Sequence, residues 1–136
     1  MRTLHFGLRV ADLTRSLVFY TGLGYEAIGT VPETEFGSLT MLKLPRDEFV
    51  SLELVHDPVG GDVAPGGLNH CVIQLESMLD AVAYLGERGI PVEPPASPDG
   101  SDDFWTAWVT DTDGYRIELV QWPPGHPDGM TAADLS

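Results

Sequence analysis

The sequence predicts an α+β fold of two consecutive β-α-β-β-β modules. Three observations predict it. Strand-like and helix-like segments recur in the same order in both halves, equivalent positions stand 65 residues apart, and a glycine- and proline-rich stretch divides the copies. His5 and His70, Asp12 and Ser77, Gly24 and Gly89, and Glu53 and Glu118 all obey that one separation.

The first module covers about residues 1–56. Thr3 to Val10 has strand character and leads into Asp12, a side chain suited to cap the free amides of a helix start. Leu13, Leu17 and Tyr20 then recur at helical spacing, and Gly22 and Gly24 end the helix. Strand-like runs follow around 25–31, 38–44 and 49–55, and residues 57–67 read as a linker. In the second module, about 68–122, Asn69 to Glu76 reads as a strand and Ser77 with Asp80 opens a helix. Met78, Val82 and Leu85 line one face of that helix, and Gly89 stops it. Strands are expected around 90–94, 104–110 and 115–122, the last two joined through Asp113-Gly114, a hairpin signal. The tail, 123–136, is proline-rich and without sustained period, so it is either frayed or packed against a partner. The whole, 1–136, is expected to be a single domain.

Composition narrows the function. At 43% hydrophobic and 9% aromatic residues the chain can fill a core, which excludes wholesale disorder. Its apolar runs are too short to span a membrane, and the N-terminus enters the strand pattern without the apolar core of a signal peptide. One cysteine, Cys71, cannot form an internal disulfide, so a reducing, cytoplasmic setting is expected. Seven basic against 21 acidic residues give a net charge of −14, which excludes nucleic acid or an anionic membrane as the main partner. The same balance makes carboxylate ligands for a cation plentiful.

Four residues carry the chemistry. The 65-residue shift maps His5 onto His70 and Glu53 onto Glu118, all in otherwise apolar strands. If each module's sheet curls into a half-barrel, with the first and last strands of both halves at one cavity, two imidazoles and two carboxylates surround one point. Such a shell is neutral around a divalent ion and suits zinc, nickel, cobalt or iron. Spacing alone leaves the alternative open, because a strand histidine is more often a hydrogen-bonded structural residue than a ligand. Glu53 and His56 face opposite sides of their strand, so His56 is not expected at the site. His126, among prolines in the tail, is expected to face solvent; Cys71, Tyr20 and Tyr115 are expected to serve packing.

Leu4-His5-Phe6-Gly7-Leu8-Arg9-Val10-Ala11-Asp12-Leu13 with Ser16 to Tyr20, Leu52-Glu53-Leu54, Asn69-His70 and Asp111 to Leu119 together resemble the vicinal oxygen chelate superfamily, and within it glyoxalase I. The resemblance covers nearly the whole chain to about Gln121. It implies the glyoxalase/bleomycin resistance/dihydroxybiphenyl dioxygenase fold, a homodimer, and metal sites often built from both chains. It implies that His5, Glu53, His70 and Glu118 bind a divalent metal, nickel or cobalt favoured and zinc possible. It implies further that the hemithioacetal of a thiol and a 2-oxoaldehyde such as methylglyoxal is converted to a 2-hydroxyacyl thioester by enediolate proton transfer. Glu118 is assigned as the main base, Glu53 as a second one on the opposite substrate face, and Arg9 as the residue holding the acidic end of the thiol.

The chain departs from that pattern where glutathione would bind. The stretch after Glu53 is Leu54-Val55-His56-Asp57, without the usual asparagine, and Ser97 to Asp103 carries Asp99, Asp102 and Asp103 where relatives have a basic loop. Acidic side chains there repel a carboxylate, so the co-substrate is glutathione or another, less anionic thiol. Phe104, Trp105, Trp108 and Trp122 offer lining for an apolar pocket, with core or interface packing the expectation for at least two. The rival readings are a metal-free protein that binds a drug or small aromatic, another enzyme of the superfamily such as an epimerase, and an iron-dependent extradiol dioxygenase.

Overall fold

A computed structural model describes all residues, 1–136. It divides into two compact units, Met1–Leu68 with Asp111–Tyr115, and Asn69–Thr110 with Arg116–Ser136. No helix is long and apolar enough to cross a membrane.

In the first unit β1 (Phe6–Arg9) is followed by α1 (Leu13–Leu23), β2 (Glu26–Thr34), β3 (Gly37–Lys43) and β4 (Leu52–His56). The helix starts as its sequence dictates: Asp12 is extended and accepts from the Arg15 amide at 3.0 Å. It ends at Gly24, whose φ of 123° admits few side chains other than hydrogen. The sheet order is β1-β4-β3-β2, with β1 parallel to β4 and the rest antiparallel. Leu8, Val10, Leu42, Leu52 and Leu54 project from one face of the sheet and are buried with Phe19 and Tyr20 of α1. β2 is an exposed edge whose register shifts between Val31 and Thr34, around Pro32, because proline has no amide to give the ladder.

The Asp111–Tyr115 turn is anchored by the buried Asp111. Its carboxylate accepts from the Tyr20 hydroxyl at 2.5 Å and from the amides of Asp113 and Tyr115 at 2.9 Å each. Asp113 accepts from the Ala11 amide, and the Tyr115 hydroxyl donates to the Arg9 carbonyl at 3.0 Å. Burial, then the neighbouring Asp111, pushes the Tyr115 phenol above its usual range, so it remains a donor. Tyr20 and Tyr115 thus serve packing, as expected, and fix the end of β1 as well.

The second unit holds β5 (Cys71–Gln74), α2 (Met78–Glu87), β6 (Trp105–Thr110) and β7 (Arg116–Gln121), with sheet order β5-β7-β6. Ser77 caps α2 by accepting from the Asp80 amide at 3.2 Å. Met78 and Leu85 of α2 and Ile90 are buried, as are Ala107, Val109, Ile117 and Leu119 of the sheet. Val82, expected on the same helix face, is only half-buried.

The strand expected at 90–94 does not form. Pro91, Pro94 and Pro95 remove three amides from that stretch, and what remains is one hydrogen bond from Glu93 to the Trp108 carbonyl and an isolated bridge from Ala96 to Thr106. The second sheet therefore has three strands where the first has four.

The tail corrects another expectation. His126 is not a solvent-facing residue: its ring stacks on Trp122 at 4.2 Å and 10°, and Trp122 stacks in turn on Phe104 at 5.3 Å. Both ring nitrogens face acceptors at 2.7 Å, Nδ1 the Pro127 carbonyl and Nε2 the Asp134 carboxylate. Asp134 belongs to a 3-10 turn, Ala132–Leu135, which Thr131 caps. Two acceptors require two N–H donors, so this site favours the imidazolium, and an aromatic face beneath the ring adds to that preference.

Two predictions follow from these contacts. Asp111→Ala strands the Tyr20 hydroxyl and two amides, and should lower stability to urea by about 3 kcal/mol, the scale of lost hydrogen bonds to a charged group. The tail should be held in an acidic window. The Asp134 hydrogen bond, then the Pro127 carbonyl, raises the His126 pKa above 6.5, so that contribution is complete below 6.5 and fades as pH rises through the raised value. The His126 contact lowers the Asp134 carboxyl from 3.8 to about 2, so its contribution is complete above 3.8 and fades as pH falls through about 2. Proteolysis at the tail, followed against pH, should speed up as pH rises through the raised His126 pKa, and His126→Gln should abolish that dependence.

Candidate metal centre

Each unit brings one predicted histidine to one predicted glutamate. In the first, Phe6 pairs with Leu52 and Gly7 with Glu53 in the parallel β1–β4 ladder, so His5, just before β1, lies beside the start of β4. Its Nε2 stands 3.1 Å from Glu53 Oε2. In the second unit Cys71 pairs with Ile117 and Val72 with Glu118, the same register 65 residues on. His70 Nε2 stands 3.5 Å from Glu118 Oε2. The histidine side chains are each 34% exposed and the glutamates 16% and 23%, so donors are held against the sheet yet open on one side.

The first pair stands against a glycine. A Cβ at Gly7 would lie 3.3 Å from a Val55 methyl and 3.4 Å from Glu53 Oε1, so a larger residue here would crowd Val55 and touch the carboxylate. Val72 occupies the equivalent position beside Glu118.

The donors fit a metal. Two ligand atoms, each about 2.1 Å from one ion and at right angles, stand about 3 Å apart. The 3.1 Å separation of the first pair matches that, the 3.5 Å of the second is longer, and both pairs combine an imidazole with a carboxylate, donors that first-row divalent ions accept. No group of three or more His, Cys, Asp or Glu side chains able to hold an ion forms within the chain. The four predicted ligands are met as two pairs.

Around His70 the second unit adds contacts that sequence reasoning did not find. Asn69 Oδ1 lies 2.7 Å from His70 Nδ1, and the Trp108 ring meets the imidazole edge to face at 5.1 Å and 75°. The Arg116 guanidinium covers Trp108 at 5.0 Å and is held by Glu93 at 2.8 Å. Arg116 was visible as a face neighbour of Glu118, two residues along a strand; its partners Trp108 and Glu93 depend on the fold.

Other sequence candidates lie elsewhere. Arg9 is exposed on β1, two residues from Gly7 and so on the same strand face, with only its carbonyl engaged by Tyr115. Of the aromatic set, Trp108 alone contacts a predicted ligand: Phe104 and Trp122 form the tail stack, and the Trp105 indole donates to the Asp102 carbonyl. A pocket of about 340 Å³ in the first unit is lined by Ala11, Asp12, Arg15, Asp62, Val63, Thr112 and Asp113, none of them a predicted ligand. In the acidic loop, Asp99 accepts from the Ser101 side chain and amide and from Ser97, which lowers its pKa and keeps it charged.

Residues 2–119 match the model of the Glyoxalase/Bleomycin resistance protein/Dioxygenase superfamily. The lactoylglutathione lyase of Salmonella typhimurium is 31% identical over 125 residues, covering 89% of this chain and 93% of that protein. That of Escherichia coli O157:H7 is 32% identical over 126 residues, with the same coverage. Among solved structures, the trypanothione-dependent glyoxalase I of Leishmania major superposes with a TM-score of 0.72 at 30% identity, covering 89% of this chain and 86% of that one. A glyoxalase family protein from Enterococcus faecalis, 23% identical, shares the fold with a TM-score of 0.72 over 88% of this chain and 97% of that one. The repeated βα architecture, the repeated histidine–glutamate pairs and these likenesses lead to one conclusion: the chain belongs to the Glyoxalase/Bleomycin resistance protein/Dioxygenase superfamily.

Proposed function

We propose that this chain is a metal-dependent lyase of the glyoxalase I kind, isomerising the hemithioacetal of a thiol and a 2-oxoaldehyde to a 2-hydroxyacyl thioester. The observation that carries the reading is the pairing of His with Glu at equivalent places in both units. Relatives named lactoylglutathione lyase support it.

The reading includes a homodimer in which His70 and Glu118 of one protomer meet His5 and Glu53 of its partner. Two donors hold a divalent ion weakly, and four make a neutral shell. Val72, which pairs with Glu118, supports this, because an apolar side chain left 55% exposed beside the ligands needs cover. A divalent ion in that shell would supply Lewis-acid polarisation of the substrate's neighbouring oxygens. Nickel or cobalt is favoured and zinc possible.

The residues divide the remaining work. Glu118, open to one side, takes the proton from the carbon bearing the thiol and returns it to the adjacent carbon, so the reaction is redox-neutral overall and needs no second substrate. Glu53, beside Gly7, serves the opposite face of the substrate. Arg9 holds an anionic group of the thiol. Asp99, Asp102 and Asp103 oppose a strongly anionic thiol, and the trypanothione dependence in the Leishmania major protein's description is a precedent for thiols other than glutathione among relatives.

Metal content by mass spectrometry on untagged protein should give about one nickel, cobalt or zinc per site, lost in His5→Ala. Glu118→Gln should retain metal and lose turnover of hemithioacetals by about 100-fold or more, the range of a missing general base. Full activity in Glu118→Gln would sink its assignment as the base. Bound iron with oxygen uptake on a catechol would move the chain to the ring-cleaving dioxygenases.

A further inference from the structure

The two half-sites are not chemically equivalent. Glu53 is an acceptor, so the 3.1 Å contact from His5 Nε2 is a hydrogen bond in which Nε2 carries the proton. That nitrogen must lose its proton before it can coordinate an ion. In the second unit the contacts are reversed. Asn69 Oδ1 is an acceptor, so the 2.7 Å contact places the proton of a neutral His70 on Nδ1. Nε2 is then a bare lone pair, and its greater distance from Glu118, 3.5 Å, fits two groups with no proton to share.

We propose that Asn69 is a positioning residue that sets His70 in the Nδ1–H tautomer, so that this half-site presents a metal-ready nitrogen while the His5 half-site does not. Trp108 completes the device by fixing the plane of the ring, edge to face, and is itself fixed between the sheet and the Arg116–Glu93 pair. The duplication provides an internal control. Leu4 stands where Asn69 would be, Ser51 where Arg116 would be, and Met41 pairs with Glu53 where Trp108 pairs with Glu118. None of these three can do the corresponding job: leucine has no acceptor, serine no cation and methionine no ring. A second acceptor on the far nitrogen of a ligating histidine commonly fixes tautomer and basicity, and its loss weakens metal binding by about 10–100-fold.

The inference rests on the metal-centre reading, and two measurements separate their failures. Long-range proton–nitrogen spectra of the metal-free, isotope-labelled full chain, recorded at a pH where the nitrogen shifts themselves show neutral rings, report the tautomer of each histidine directly. Expected are Nδ1–H for His70, Nε2–H for His5, and conversion of His70 to mainly Nε2–H in Asn69→Ala. Asn69 is exposed, so this change should leave the fold intact. Titration with nickel against a competing chelator should show binding about 10-fold weaker in Asn69→Ala and restored in Asn69→Asp, which keeps an acceptor at that place. His70 found as Nε2–H in the wild type, or as Nδ1–H still in Asn69→Ala, overturns the inference even if metal binds. A wild-type chain that binds neither nickel, cobalt nor zinc overturns the metal-centre reading and with it the role of Asn69 in metal loading.

Discussion

The parallel pairing of the first strand of each unit with its last is the constraint on which the rest depends. Antiparallel neighbours can be joined by a tight turn, but parallel ones need a crossover, here a helix and at least one further strand. The chain must therefore leave β1, run through α1, β2 and β3, and return as β4 beside its origin. That return puts a residue from near the N-terminus next to one about fifty positions later, and the shared register makes it His beside Glu in both units. A one-residue slip would turn every side chain of the returning strand to the other face. Leu52 and Leu54, buried between helix and sheet, set the cost of that slip in the first unit, and Ile117 and Leu119 do so in the second. The core thereby fixes the direction in which the intervening glutamate points.

Much of this was legible in the sequence because it is local or repeated. Asp12 and Ser77 cap helices through amides three residues ahead, and the alternation in β4 and β7 names the outward glutamates. The duplication converts a weak signal, one strand histidine, into a pair tied by a common offset. What escaped was set by contacts between distant segments. The prolines at 91, 94 and 95 were visible, but spacing alone did not reveal that their missing amides would outweigh an apolar run and leave a bare edge. His126 looked solvated because its neighbours are prolines; its real surroundings are Trp122 beneath the ring and Asp134 eight residues on, joined by a tail that folds back. The aromatic set read as one possible pocket is divided between a tail stack and the flank of His70.

Charge shapes what the site can receive. With a net charge of −14 the molecule repels anions at long range, and the Ser97–Asp103 loop adds three aspartates, one of them stabilised in its charged form by Ser101. The cationic side chains near the predicted ligands differ in freedom. Arg116 is already neutralised by Glu93 and lies over Trp108, whereas Arg9 has only its backbone carbonyl engaged. A divalent cation is drawn to such a surface and an anion is repelled by it.

Duplication produces two copies that need not remain alike, and the differences are concentrated around the donors. The first copy keeps Gly7 beside Glu53, where a Cβ would touch the carboxylate. The second fills that position with Val72 and surrounds its histidine with Asn69, Trp108 and the Arg116–Glu93 pair. The same ladder register, repeated with different neighbours, gives each histidine–glutamate pair its own surroundings.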